Sequence, residues 1–383
     1  MRHPCSLLLA PMLFVSGFTF ASCDPVDPET TDYRLAETNP FVTHEIARFN
    51  EPWALAVEPQ TDIIFVTGKK GGVTRFDPST GQQLKLRNVP EVDYGGQGGM
   101  GDFIFAPDYT QSRKVYLSWV EAGENNQRSA VVGRAELVCS PQDCALENLD
   151  IIWRQVPKTT GRGHYSHRIA FAPDGKTLFI ASGDRQKMSP AQSLDNNLGK
   201  IVRLTLDGQP APGNPFSGQG SPADQVWTYG HRNILGLTFD EDGQLWDMEH
   251  GPAGGDELNL VVKGENYGWP IVSEGEHYSG ESIPSHDEYP QFAAPSLSWN
   301  PVIAPGDMTI YRGALFPDWQ GDFLIASLGG PIVRVSRTGQ KVEETARYET
   351  NMRLRDIATD SGGAIWIIED AGQGRLMQLT PRS

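Results

Sequence analysis

Positive charge and cysteine are both scarce in this chain. Its 383 residues carry 32 Lys and Arg against 48 Asp and Glu, a formal net charge of −16. That deficit argues against a nucleic-acid partner, because phosphate recognition needs a basic stripe. An acidic surface serves chiefly solubility, with a cationic redox partner as its other use. Long apolar runs are scarce too. The one such run, Leu7 to Phe20, follows Arg2 and His3 and is too short to cross a bilayer as a stable helix. It reads as an export signal, so residues 1–22 are expected to be a signal peptide and the mature chain to have no transmembrane span. Amphipathic helical spacing is nearly absent.

The four cysteines fit export to a periplasmic or extracellular site. Cys5 leaves with the signal. In Phe20-Ala21-Ser22-Cys23, small residues precede a cysteine, as at a lipoprotein signal-peptidase site, although Phe20 stands where leucine is commoner. Cleavage there leaves a lipid anchor on Cys23; ordinary cleavage near Ala21 or Ser22 leaves a free terminus. Cys139 and Cys144, in Cys-Ser-Pro-Gln-Asp-Cys, close a short turn and are expected to form a disulfide in an oxidising compartment. Zinc is excluded because no second Cys or His pair sits nearby.

Residues 23–45 read as a linker, Pro-, Thr- and Asp-rich between Asp24 and Pro40, and residues 46–383 as one domain. Within it one pattern recurs: an apolar run, a Pro-Asp-Gly-like turn, then a second apolar run. The copies begin at Trp53, Gly101, Arg168, Leu235, Met308 and Arg355, the fifth more loosely than the rest. Alternating and β-branched residues bounded by Asp-Gly turns make hairpins, and units of about 40–50 residues with several strands each mark propeller blades. The expected fold is all-β: a six-bladed β-propeller with four-stranded antiparallel blades. A β-sandwich fits six similar units less well, and radial closure leaves few exposed strand edges. The longest interruptions, Gly161 to His167, Arg185 to Gly199 and Gly251 to Gly280, hold most of the unusual polar residues, so function is expected on the face they share.

Three segments break the rhythm. Gly163-His164-Tyr165-Ser166-His167-Arg168 precedes a strand, and a His there suits a general base or a mere capping role. Tyr229-Gly230-His231-Arg232-Asn233 offers a guanidinium beside an amide, which can polarise a carbonyl or serve a structural ion pair. Glu249-His250-Gly251-Pro252 continues to Asp256-Glu257-Leu258-Asn259 and then Asn266-Tyr267-Gly268-Trp269-Pro270, presenting carbonyls and carboxylates of the kind calcium prefers, without EF-hand spacing.

In order and spacing these segments resemble the PQQ-dependent soluble glucose and aldose sugar dehydrogenases, from about Pro52 to Leu379. The resemblance implies oxidation of an aldose to its lactone with pyrroloquinoline quinone (PQQ) and Ca2+, the electrons passing to an unidentified quinone or cytochrome. It implies that His164 is the base taking the anomeric hydroxyl proton and that Arg232 polarises the quinone carbonyl. Asn233, Gln97, Tyr278 and the stretch Ser327-Leu328-Gly329 match cofactor-contacting positions. Arg353-Leu354-Arg355 also matches cofactor-contacting positions, its two arginines being the pair that neutralises the PQQ carboxylates. Gly251 and Pro252 match the carbonyl ligands of the calcium that holds PQQ, and Glu257 and Tyr267 match ligands of a second calcium.

Two departures stand out. Many relatives carry a cofactor-binding lysine where this chain has Gly329, a loss worth on the order of 1–3 kcal/mol of cofactor binding. The glucose-type enzymes carry Asp before the catalytic His, where this chain has Gly163, which leaves the sugar preference open. The missing lysine favours an alternative, a non-catalytic calcium-binding propeller for a glycan or protein partner. The joint presence of His164, Arg232, Gln97, Arg353 and Arg355 opposes it. A lactonase is the third reading, which side-chain carboxylate and amide ligands around a central calcium would favour.

Overall fold

A computed structural model describes residues 39–382. The segment read as an export signal, with Cys5 and Cys23, lies outside the described residues. The described chain forms six four-stranded antiparallel sheets. Each begins with the apolar run read from the sequence. The innermost strands are β2 (Pro52–Val57), β6 (Met100–Phe105), β10 (Ser166–Phe171), β14 (Ile234–Phe239), β18 (Pro305–Ile310) and β22 (Leu354–Thr359). Each packs beside the next and β22 packs beside β2, which closes the ring as a six-bladed β-propeller.

The sixth blade is completed from the other end of the chain. Its outermost strand is β1 (Phe41–Asn50), paired antiparallel with β24 (Gln373–Pro381), with Phe41 opposite Pro381. The propeller therefore starts at Phe41, inside the segment expected to be linker up to residue 45. A strand that pairs more than 300 residues away carries no local repeat to reveal it. The interruption read as Gly251 to Gly280 also contains a strand, β16 (Asp256–Leu260), and the long connection runs from there to β17 (Leu297–Trp299). Cys139 and Cys144 face each other across a hairpin end and form the expected disulfide.

The apolar core lies between blades. Leu324 and Ile332 of one blade pack with Ile357 and Ile367 of the next, all buried. Each such side chain contributes about 1.5–3 kcal/mol on burial.

Arg168 ties the six innermost strands at the ring's centre. From β10 its guanidinium meets Asp356 of β22 at 2.7 Å, Asp102 of β6 at 3.4 Å and Asp307 of β18 at 3.4 Å. It donates to the carbonyls of Leu235 on β14 (2.8 Å) and Gly306 on β18 (3.0 Å), and lies 4.3 Å from the Trp53 ring of β2.

All six innermost strands start with a register shift: between Pro52 and Ala54, Met100 and Phe103, Ser166 and Ile169, Ile234 and Gly236, Pro305 and Asp307, and Leu354 and Asp356. Bulges of this kind bend a strand and re-aim the side chains beside it. The start of an innermost strand pairs with the end of its blade's second strand. The residues just outside both therefore gather at one mouth of the ring.

Candidate functional site

Blade 3 brings His164 to that mouth. Its backbone adopts φ 48°, a left-handed conformation that costs a non-glycine residue about 1–3 kcal/mol and is kept only where the surroundings impose it. Those surroundings are specific. Gln97 Oε1 accepts the His164 backbone N–H at 2.6 Å, and the buried Arg185 side chain donates to the carbonyls of Gly161 (2.7 Å) and Gly163 (3.0 Å). Arg185 also lies 3.8 Å over the Tyr165 ring.

The imidazole of His164 is buried, with Nδ1 2.7 Å from Asp184 Oδ1. Asp184 follows β11 (Thr177–Ser182) and is itself fixed by Trp269 Nε1 (2.8 Å) and the Gln186 backbone N–H (2.8 Å). Burial lowers the His164 pKa below the ordinary histidine value, against its hydrogen bond to Asp184; the Arg232 charge lowers it further. Burial opposes ionisation of Asp184, but the bonds from His164, Trp269 and Gln186 outweigh it and hold its pKa low. The ionised Asp184 thus receives Nδ1–H, and Nε2 takes no partner among the described residues. This arrangement, a lowered pKa with Nε2 unengaged, is one that suits a proton acceptor.

Arg232 stands at the start of the fourth blade. Its backbone N–H donates to Glu249 Oε2 (2.7 Å), and its guanidinium donates to the His250 carbonyl (3.1 Å) and to the exposed Tyr278 hydroxyl (3.1 Å). Nε is buried with no partner. His231 and Asn259 also bond Glu249, so that carboxylate fixes the Arg232 backbone from behind. The Asn233 carboxamide oxygen accepts from Ser166 Oγ (3.3 Å), joining blades three and four.

Gly251 and Pro252 line a cavity of ≈ 10 Å³ with Arg232, Glu249, Glu257, Tyr267 and Ser273, space for one ion or water. A Cβ on Gly251 would lie 2.2 Å from the carbonyl oxygens of Gly254 and Gly255, so this cradle is built for glycine. Burial, then the neighbouring Glu249, raises the Glu257 pKa well above the usual carboxylate range. Carboxylates crowded around ion-sized space, beside backbone carbonyls, fit a hard cation. The Tyr267 hydroxyl is committed to the Leu260 carbonyl (2.5 Å), which leaves its own carbonyl as the candidate ligand; His286 Nε2 already donates to that oxygen at 3.1 Å.

The cofactor positions on blades five and six divide. Ser327 is buried and accepts the Gly329 N–H at 2.9 Å, while Leu328 N–H donates to the Ala304 carbonyl (2.7 Å) and Gly329 is exposed. Leu354 does not face the mouth with its side chain; it is fully buried in the core between blades. Arg353 and Arg355 do converge, both on Asp370 at 2.9 and 3.0 Å. Burial, then the Arg232 charge and more weakly that of Arg355, lowers the His250 pKa to about 3. Arg355, which shares Asp370 with Arg353, therefore reaches the same electrostatic neighbourhood as His164 and Arg232. Asp184, Arg185 and Asp370 are the residues supporting the candidate site that the motifs missed, while Trp269 stood in a motif with no role given to it. Asp184 and Asp370 each stand just after a blade's second strand, the place His250 also takes, and that recurrence is the signal that locates them.

The comparisons with known proteins identify this closed propeller, whose mouth holds an oriented histidine beside an arginine, as an oxidoreductase acting on sugar CH–OH groups. Residues 49–378 match the family model described as glucose / sorbosone dehydrogenase, and the chain belongs to that family. It is similar to an aldose sugar dehydrogenase of Escherichia coli K12, 33% identical over 388 residues that cover 100% of both chains. It is 27% identical over 368 residues to quinoprotein glucose dehydrogenase B of Acinetobacter calcoaceticus, covering 89% of this chain and 73% of that one. The PQQ-bound aldose sugar dehydrogenase structure from Streptomyces coelicolor superposes with a TM-score of 0.74 at 29% identity, covering 89% of this chain and 98% of the other.

Proposed function

We propose that this chain oxidises aldoses at the anomeric carbon to the lactone, with PQQ as hydride acceptor and calcium holding the cofactor. The observation that carries the reading is the buried His164–Asp184 pair, its free imidazole nitrogen within the field of Arg232. The names of the relatives, quinoprotein, aldose dehydrogenase and PQQ-bound, support the cofactor and the substrate class.

When bound, PQQ supplies a quinone carbonyl carbon that accepts two electrons as hydride. His164 Nε2 takes the proton of the anomeric hydroxyl as the C–H bond gives up its hydride, and the C–O bond becomes the lactone carbonyl. Asp184 keeps the other imidazole proton on Nδ1 and stabilises the imidazolium that forms. Arg232 offers its donors where negative charge develops, at no reorganisation cost because its backbone and guanidinium are already fixed. The carbonyls of Gly251 and Pro252 would hold the calcium, the Glu257 carboxylate and the Tyr267 carbonyl a second one, and Arg353 and Arg355 would face the carboxylates of PQQ. Gln97, Asn233 and Tyr278 line the approach.

The same reading places the chain outside the cytoplasm, from the Leu7–Phe20 signal, with lipidation of Cys23 as one route of attachment and a quinone or cytochrome as electron acceptor. Among the described residues no helix is long and apolar enough to cross a membrane. The test is reconstitution: PQQ and calcium are added to the apo-protein and dye reduction is followed with a panel of aldoses. Aldose-dependent reduction is expected. No reduction with any aldose, and no quinone absorbance retained after desalting, would leave the non-catalytic propeller as the better reading.

A further inference from the structure

We propose that Lys69 is a third cation of the subsite for the cofactor's carboxylates, replacing from blade one the lysine that Gly329 removes from blade five. The inference rests on the PQQ reading above. Lys69 follows β3 (Ile64–Gly68) just as Leu328-Gly329 follow β19 (Phe323–Ser327) and Asp370 follows β23 (Ile365–Glu369). These are the same place in three successive blades, because blade six lies between blade five and blade one. A cation missing on one flank of the Arg353/Arg355 blade is thus present on the other.

The backbone of Lys69 is fixed. Its N–H donates to the Glu51 carbonyl (2.7 Å) and its carbonyl accepts from Met100 N–H (3.0 Å). Gly99, at φ 144°, lies so close that a Cβ there would come 2.0 Å from the Lys69 carbonyl oxygen. The side chain, half-buried, lines a cleft of ≈ 270 Å³ with Glu51, Pro52, Tyr94, Asp370, Ala371 and Gly372.

The nearby carboxylates are already engaged. Glu51 pairs with Lys70 at 2.8 Å and accepts the Tyr94 hydroxyl at 2.6 Å, while Asp370 is shared between Arg353 and Arg355. Lys69 forms no ion pair of its own among the described residues. Lys69, Arg353 and Arg355 set against the one carboxylate of Asp370 leave two positive charges beside the cleft. Such an excess selects a polycarboxylate, and a flexible ammonium serves as a point charge for it where Arg provides a fork. Burial, then the Arg355 charge, lowers the Lys69 pKa, the expected state of a cation waiting for an anion.

The test measures PQQ affinity on the calcium-loaded full chain by equilibrium dialysis, with free PQQ read by its absorbance. Lys69→Met is expected to raise Kd about tenfold, the effect of one lost charge-assisted contact, and Lys69→Arg to stay close to the parent. Lys176→Met, which removes an exposed cation from the Asp174-Gly175 turn, is expected to leave Kd unchanged. Adding Gly329→Lys to Lys69→Met is expected to recover affinity. If Lys69→Met binds like the parent while Arg355→Met binds weakly, the assignment to Lys69 fails and the PQQ reading stands. If the parent itself binds no PQQ, both fail.

Discussion

His164 Nδ1 lies 2.7 Å from Asp184 Oδ1, and the two residues flank the mouth ends of one hairpin, before β10 and after β11. The pairing sets the tautomer of the imidazole, while burial, against the pull of Asp184, keeps its pKa low. Catalysis needs His164 unprotonated, and its pKa is already below 6.5, so the rate is expected to hold as pH falls through 6.5 and to decline only lower. Asp184 is the group that raises this pKa. Asp184→Asn should therefore move the acid limb of kcat/KM to still lower pH while lowering its plateau by about 10- to 100-fold. A pH–rate profile of parent and variant checks this; a lower plateau with an unmoved limb would reduce Asp184 to a packing role.

Arg168 is the second relationship open to test. It is buried against Asp102, Asp307 and Asp356, and removing one partner of a buried ion pair costs about 3–5 kcal/mol. Arg168→Met should lower Tm sharply at neutral pH. The sign of the pH effect follows from the aspartates. Burial raises Asp356 to about 6 even with Arg168 present, and loss of the cation raises it further. A carboxyl whose folded pKa exceeds its unfolded value opposes folding when ionised, and that penalty fades as pH falls through the folded pKa. The Tm deficit of the variant should shrink between pH 7 and pH 5, as calorimetry can measure.

The cation cavity makes a different prediction. Glu257 is buried beside Glu249, Glu274 and Asp256, and ionises with difficulty unless a cation is present. Calcium should raise the Tm of the parent. Glu257→Gln should lose most of that increment, yet match or exceed the parent when both are held in chelator, because the variant no longer buries a charge. Equal calcium increments in both proteins would exclude Glu257 from the metal site.

The propeller was legible because each blade repeats its own hairpins: Arg168-Ile-Ala-Phe-Ala-Pro-Asp-Gly and Leu235-Gly-Leu-Thr-Phe-Asp-Glu-Asp-Gly carry their strand periods and turns locally. β1 was not, since its partner β24 lies at the far end of the chain. The site shows the same division. His164, Arg232 and Gly251-Pro252 stand in unusual motifs, whereas Asp184 and Asp370 sit in ordinary-looking strand ends and gain their roles only when register brings them to the mouth. Leu354 lies between the two arginines of a cofactor motif, yet strand alternation turns its side chain into the core.

The most direct measurement follows the quinone absorbance of reconstituted parent and His164→Ala after rapid mixing with an aldose. The parent should lose its oxidised-quinone signal within a turnover. His164→Ala should bind PQQ but lose that signal at least about 100-fold more slowly, because only the proton acceptor is gone. Loss of the signal at the parent's rate in His164→Ala would contradict the account.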